Sequence, residues 1–172
     1  TEVHFFLGDP AYLESIAMQK VKPLLRKDFV IHELQIYQSK ALGADAVLLI
    51  AELLEPSQIA EYTHLANETG MDILLELHSE DQLPKINFTL NTLIGINNRN
   101  LKTFETSLQT TKEVVKKLPA KVTAISESGI RTRDDIHRVR DLGVKGILVG
   151  EHFMRSQDIR SEVKRFKEYC AG

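Results

Sequence analysis

Apolar segments recur six times along this chain of 172 residues, and nearly all of them end in a charged or amide residue. The clearest segment, Ala46–Ala51, is entirely apolar and is followed by Glu52. Such a run is typical of a parallel strand that is buried on both faces. A helix-compatible stretch follows each segment, roughly every 20–30 residues, and this alternation predicts an α/β protein with helical crossovers. Short linkers predict a single domain over residues 1–172.

The ends of the predicted strands distinguish two architectures. An open doubly wound sheet needs polar strand ends only where the strand order reverses, whereas every strand of a (β/α)8 barrel points its carboxyl end to one mouth. The pattern favours an incomplete (β/α)8, or TIM, barrel of about six units. The polar ends are Lys27, Glu52, Glu76, Asn97-Asn98-Arg99, Glu127-Ser128-Gly129 and Gly150-Glu151.

Composition excludes several classes of function. The 22 Lys+Arg residues nearly balance the 24 Asp+Glu residues, so no basic footprint for nucleic acid or an anionic membrane is present. A single cysteine, Cys170, cannot form an internal disulfide, and metal-ligand spacing is absent. Neither a signal-peptide pattern nor a membrane-spanning apolar run is apparent, and neither Gly-rich nucleotide motif occurs. We expect a cytoplasmic protein.

Five short motifs resemble one known family, the indole-3-glycerol phosphate synthases of tryptophan biosynthesis. They occur in the family's order and spacing, and the resemblance covers essentially the whole chain. It implies a (β/α)8 barrel that converts 1-(2-carboxyphenylamino)-1-deoxyribulose 5-phosphate to indole-3-glycerol phosphate, with loss of carbon dioxide and water and without a cofactor or metal. The motifs are Leu25–Phe29, Gly43–Ile50, Gly95–Leu101, Ser126–Ile130, and Leu148–Glu151 followed by Met154-Arg155.

The resemblance implies catalytic roles for five residues. Lys27 is expected to be the general acid that protonates the substrate's ketone oxygen during ring closure. Glu76 is expected to be the general base for the loss of water. Glu127 is expected to position Lys27 through its opposite charge. Asn97 and Ser128 match polar residues at the ends of their strands.

The resemblance also implies binding roles. Arg99 is expected to hold the anthranilate carboxylate or to maintain a network of charges. Asn98 and Asn100 are expected to be ordinary loop residues. Four apolar residues match the lining of the family's aromatic pocket, although core packing is the alternative for one of them, Leu48. They are Phe6, Phe29, Leu48 and Leu101.

Phosphate binding is expected from Gly129, Gly150 and Glu151. Glycines allow backbone N–H groups to approach the phosphate oxygens, and a short turn after Val149 would direct its amino end at the anion. Glu151 would contribute its N–H group, with its carboxylate turned away. Turn geometry alone is the alternative for both glycines.

The chain departs from the family pattern near its start. The family's first strand, with a glutamate, a second lysine and a serine, has no counterpart, and Gly8-Asp9 stands where the family usually has Gly-Ser. We expect the two missing βα units to lie before Thr1, and the chain alone to be inactive or barely active.

Two other functions remain open at this stage. One is a different phosphate-binding barrel enzyme, such as a phosphoribosyl isomerase, which would not need Lys27 and Glu76. The other is a truncated, non-catalytic half-barrel or partner subunit that self-associates through exposed strand edges.

Overall fold

A computed structural model describes residues 8–171, which form two compact units. Within this range, the first unit contains residues 8–76 and 84–93, and the second contains residues 77–83 and 94–171. The predicted alternation is confirmed, because six strands occur in the expected order among these residues and each is followed by helical structure.

The first unit is built around three parallel strands. Strand β1 pairs with β2 from Leu25 opposite Ala46, and β2 pairs with β3 up to Ile50 opposite Glu76. Strand β1 contains only two residues. The unit's elements are α1 (Pro10–Ala17), β1 (Leu25–Arg26), α2 (Glu33–Ala41), β2 (Ala46–Ile50), α3 (Pro56–Glu68) and most of β3 (Asp72–Leu77).

Local signals in the sequence set the ends of these helices. Asp9 caps α1 by accepting a hydrogen bond from the Ala11 N–H at 2.8 Å, and Pro10 occupies the first turn. Helix α2 ends before Gly43, whose φ of 85° lies in the left-handed region that only glycine adopts at low cost. The apolar strand β2 is buried from Val47 to Ile50, as expected for a strand covered on both faces.

The second unit repeats the same plan. Strands β5 and β6 are parallel, with Ile125 opposite Gly146, and a cluster of buried apolar side chains around Phe166 joins α5 to α7. A 3-10 helix, Glu80–Lys85, lies between β3 and β4 and contains Pro84. The other elements are β4 (Leu93–Asn97), α4 (Gln109–Val115), β5 (Thr123–Glu127), α5 (Arg133–Asp141), β6 (Gly146–Leu148), α6 (Glu151–Met154) and α7 (Ile159–Ala171).

Within residues 8–171, the structure contains no helix with the length and apolar character that crossing a membrane requires.

Candidate active site

Lys27 and Glu76 meet at the carboxyl ends of β1 and β3. Lys27 directly follows β1, and its Nζ lies 3.3 Å from Oε2 of Glu76. The Glu76 side chain is only 1% exposed, whereas that of Lys27 is 36% exposed. A buried carboxylate therefore contacts an ammonium group that a ligand can reach.

The residues on either side of Lys27 fix its position. Arg26 is buried, and its guanidinium donates hydrogen bonds to Oδ2 of Asp28 at 3.0 and 3.2 Å. The same guanidinium reaches the Gln35 carbonyl and the Ser39 hydroxyl of α2, each at 3.1 Å. These hydrogen bonds of Arg26 therefore hold the end of β1 against α2. The sequence shows these charges only as a cluster, which gives no sign that two of the three are buried.

Asn97 and Arg99 lie at the end of β4. Asn97 is 8% exposed, and its Oδ1 accepts a hydrogen bond from the Arg99 N–H at 3.0 Å. Arg99 also forms an isolated antiparallel bridge with Thr106, which closes the loop between them. The side chain of Asn97 therefore shapes the start of the loop that carries Arg99.

Asn98 lies in the loop after β4, as expected, but its side chain is buried there. It is 2% exposed, and its Nδ2 donates to the Ser126 hydroxyl at 3.0 Å, the Glu127 carbonyl at 2.9 Å and the Ser128 carbonyl at 3.1 Å. No local pattern reveals these contacts, because the partners lie 28 to 30 positions away in the sequence.

A left-handed turn follows β5. Glu127 is 1% exposed, and the next two residues, Ser128 and Gly129, have φ angles of 64° and 74°. A Cβ atom on Gly129 would lie only 2.4 Å from Cγ2 of Thr106. Backbone conformation and packing both require glycine at this position.

Glu151 lies between two arginines. Its carboxylate pairs with Nη2 of Arg99 and forms a second ion pair with Nε of Arg155 at 3.0 Å. The hydrogen bond from Arg99, reinforced by the charges of both arginines, lowers the pKa of Glu151 below its usual value. The neighbouring Gly150 has a φ of −119°, and no described atom lies within 4 Å of a Cβ built on it. Neither backbone nor packing therefore requires a glycine there.

The apolar candidates have different surroundings. Leu48 is 1% exposed in the middle of β2, which fits the core-packing alternative. Phe29 and Leu101 are half-buried in loops, while Phe6 lies outside the described residues.

Parallel strands whose carboxyl ends carry a lysine, a buried glutamate and glycine turns are characteristic of barrel enzymes. Solved structures share this fold. A mutant tryptophan synthase alpha-subunit from Pyrococcus furiosus matches 95% of this chain and 72% of its own, with a TM-score of 0.68 and 14% identity. A FabK mutant from Thermotoga maritima matches 88% of this chain and 52% of its own, with the same TM-score. The fold is an α/β TIM barrel that is incomplete in this chain.

Sequence comparison identifies the family. The family model described as indole-3-glycerol phosphate synthase matches residues 1–166. Proteins of that name are 46% identical over 165 residues in Desulforamulus reducens and 47% identical over 163 residues in Neisseria gonorrhoeae, covering 95% of this chain in both cases. A third, from Caldanaerobacter subterraneus, is 43% identical over all 172 residues. The chain belongs to the indole-3-glycerol phosphate synthase family. It spans 62–66% of the length of these relatives.

Proposed function

We propose that the protein to which this chain belongs is an indole-3-glycerol phosphate synthase, a carbon–carbon lyase. It would close the indole ring of 1-(2-carboxyphenylamino)-1-deoxyribulose 5-phosphate and release carbon dioxide and water. The observation that carries the proposal is the contact of 3.3 Å between Lys27 and Glu76, the two residues expected to be acid and base. Membership of the family supports it independently.

In this reaction, Lys27 and Glu76 would each transfer a different proton. Ring closure forms a carbon–carbon bond between the aromatic ring and the ketone carbon, and the ketone oxygen must gain a proton, which Lys27 donates. The carboxylate leaves as carbon dioxide and its bonding electrons restore the aromatic system. Glu76 then accepts a proton from the carbon beside the new hydroxyl, while the hydroxyl takes up a proton from Lys27, which solvent has reprotonated, and departs as water, which yields the indole.

We assign the remaining polar residues to binding and orientation. Arg99 is proposed to bind the substrate's anthranilate carboxylate, exchanging its contact with Glu151 for one with the ligand. Asn97, Glu127 and Ser128 are proposed to contact polar atoms of the substrate. The burial of Asn97 and Glu127 supports this role, because buried polar groups at strand ends are well held in place.

Phosphate is proposed to bind the N–H groups of Gly129, Gly150 and Glu151. No described atom lies near a Cβ position on Gly150, so packing does not explain a glycine there. A phosphate that approaches the bare backbone would explain it, and this supports the assignment. The carboxylate of Glu151 also pairs with Arg155, and this cation offsets its repulsion of an anion when Arg99 turns to the substrate carboxylate.

The apolar part of the substrate, its aromatic ring, is proposed to contact Phe29, Leu48 and Leu101. We also propose a cytoplasmic location, in keeping with a biosynthetic family that uses small phosphorylated substrates.

Turnover of the purified protein, followed by indole fluorescence, tests the proposal. Lys27→Ala should lower the rate by about 10²–10⁴-fold, the usual contribution of one general acid. Lys22→Ala, which removes an exposed lysine before β1, is the matched control and should leave the rate unchanged. Absence of turnover by the unmutated protein, assayed with any residues that lie outside this chain, would contradict the proposed activity. Full activity of Lys27→Ala would instead exclude Lys27 as the general acid.

A further inference from the structure

Asn98 takes part in a closed ring of hydrogen bonds with two buried hydroxyl groups. The Thr111 hydroxyl lies 2.8 Å from Oδ1 of Asn98 and 2.7 Å from the Ser126 hydroxyl, and Nδ2 of Asn98 completes the ring at 3.0 Å. All three residues are almost fully buried, at 0–2% exposure.

The donors and acceptors in this ring are determined by chemistry. The Thr111 N–H, which can only donate, lies 3.2 Å from Oδ1 of Asn98, so this atom is the amide oxygen. The Thr111 hydroxyl therefore donates to Asn98, the Ser126 hydroxyl donates to Thr111, and Asn98 donates to Ser126. Each of the two hydroxyl groups therefore donates its proton to one member of the ring and accepts a hydrogen bond from the other.

The same amide group also reaches out of the ring to the turn after β5. Its Nδ2 lies 2.9 and 3.1 Å from the Glu127 and Ser128 carbonyls, so its two protons are shared among these carbonyls and the Ser126 hydroxyl. The Glu127 carbonyl also accepts from the Asn98 backbone N–H at 2.9 Å, so the side chain is most needed for the Ser128 carbonyl. Ser128 has a φ of 64°, a conformation that a residue other than glycine retains only when neighbouring contacts impose it.

We propose that Asn98 is a positioning residue, which holds the Ser128-Gly129 turn in the conformation that presents the Gly129 N–H to a phosphorylated ligand. The phosphorylated ligand in this proposal rests on the proposed function. The role of Asn98 in the turn rests on hydrogen-bond geometry alone. Asn98 itself does not touch the ligand.

Titration of glycerol 3-phosphate into ¹⁵N-labelled protein, followed by NMR, tests the proposal. Asn98→Ala should weaken binding by about tenfold, the equivalent of one hydrogen bond. It should also move the Ser128 and Gly129 amide signals of the ligand-free protein. Thr111→Val is the matched control, because it breaks the buried ring yet leaves the three Nδ2 contacts of Asn98 in place.

Thr111→Val should therefore lose stability but keep the affinity and the turn signals of the unmutated protein. Equal loss of affinity in both variants, or unmoved turn signals in Asn98→Ala, would overturn the proposal. If the unmutated protein does not bind glycerol 3-phosphate, the phosphate assignment fails, and the turn signals still decide the role of Asn98. Should Asn98→Ala not fold, Asn98→Asp replaces it: a neutral buried acid keeps the acceptor for Thr111 but has one donor, so both effects should be intermediate.

Discussion

Replacing Gly129 by alanine offers a quantitative test of the turn after β5. Two penalties add at this residue. A φ of 74° places an alanine in the left-handed region, which costs about 1 kcal/mol. The new Cβ would also lie 2.4 Å from Cγ2 of Thr106, and relieving such an overlap costs about 1–3 kcal/mol. Gly129→Ala should therefore lower the free energy of unfolding by about 2–4 kcal/mol.

Two other glycines of the second unit separate these penalties. Gly143 has a φ of 91° but no described atom within 4 Å of its Cβ position, so Gly143→Ala measures the backbone penalty alone, about 1 kcal/mol. Gly150 has a negative φ and open space, so Gly150→Ala should change stability by less than about 0.5 kcal/mol. It should nevertheless weaken the binding of glycerol 3-phosphate.

Urea unfolding of the three variants, monitored by circular dichroism, provides the free energies. If Gly129→Ala costs no more than Gly143→Ala, Thr106 moves aside freely and the overlap argument is wrong. If neither variant is destabilised, the positive φ angles do not constrain these turns.

Three further predictions concern charged groups. Asp28→Asn should lower the free energy of unfolding by about 3–5 kcal/mol in the same assay, because it leaves the buried guanidinium of Arg26 without its charged partner. Since the pKa of Glu151 is lowered in the folded protein, its pairing with Arg99 stabilises the fold above the usual value of 4.5, and this contribution is lost as the pH falls through the folded pKa. Glu151→Gln should therefore remove part of the decrease in stability below pH 4.5, and an unchanged acid-unfolding curve would contradict this. Glu76→Gln should lower kcat by about 10²–10⁴-fold while the protein remains folded by circular dichroism, and a change in KM alone would exclude Glu76 as the base.

The order of the strands and the ends of the helices could be predicted from the sequence because their causes are local. A continuous apolar run such as that of β2 depends only on neighbouring residues, and so does a helix that stops at Gly43 or Gly70. The 3-10 helix around Pro84 was harder to predict, since a proline within the first helical turns is compatible with more than one local structure.

The same distinction between local and distant causes applies to the residues of the candidate site. Lys27 and Glu76 could be proposed because each follows or ends a strand, where barrel enzymes place their reactive groups, and parallel pairing then brings them together. The burial of Arg26 and Asp28 could not be predicted, because a run of three charges usually lies in solvent. Nor could the contacts of Asn98, which depend on the packing of β4 against β5 and α4.

The one-way ring of Asn98, Thr111 and Ser126 has a consequence for how this family can change over time. A substitution that removes the polar group of any one of the three leaves a buried donor or acceptor of the ring without its partner. The three residues should therefore change together during evolution. Proteins in which only one or two of them have changed should be less stable. Where a relative carries a different residue at one of these positions, we expect the other two to differ as well.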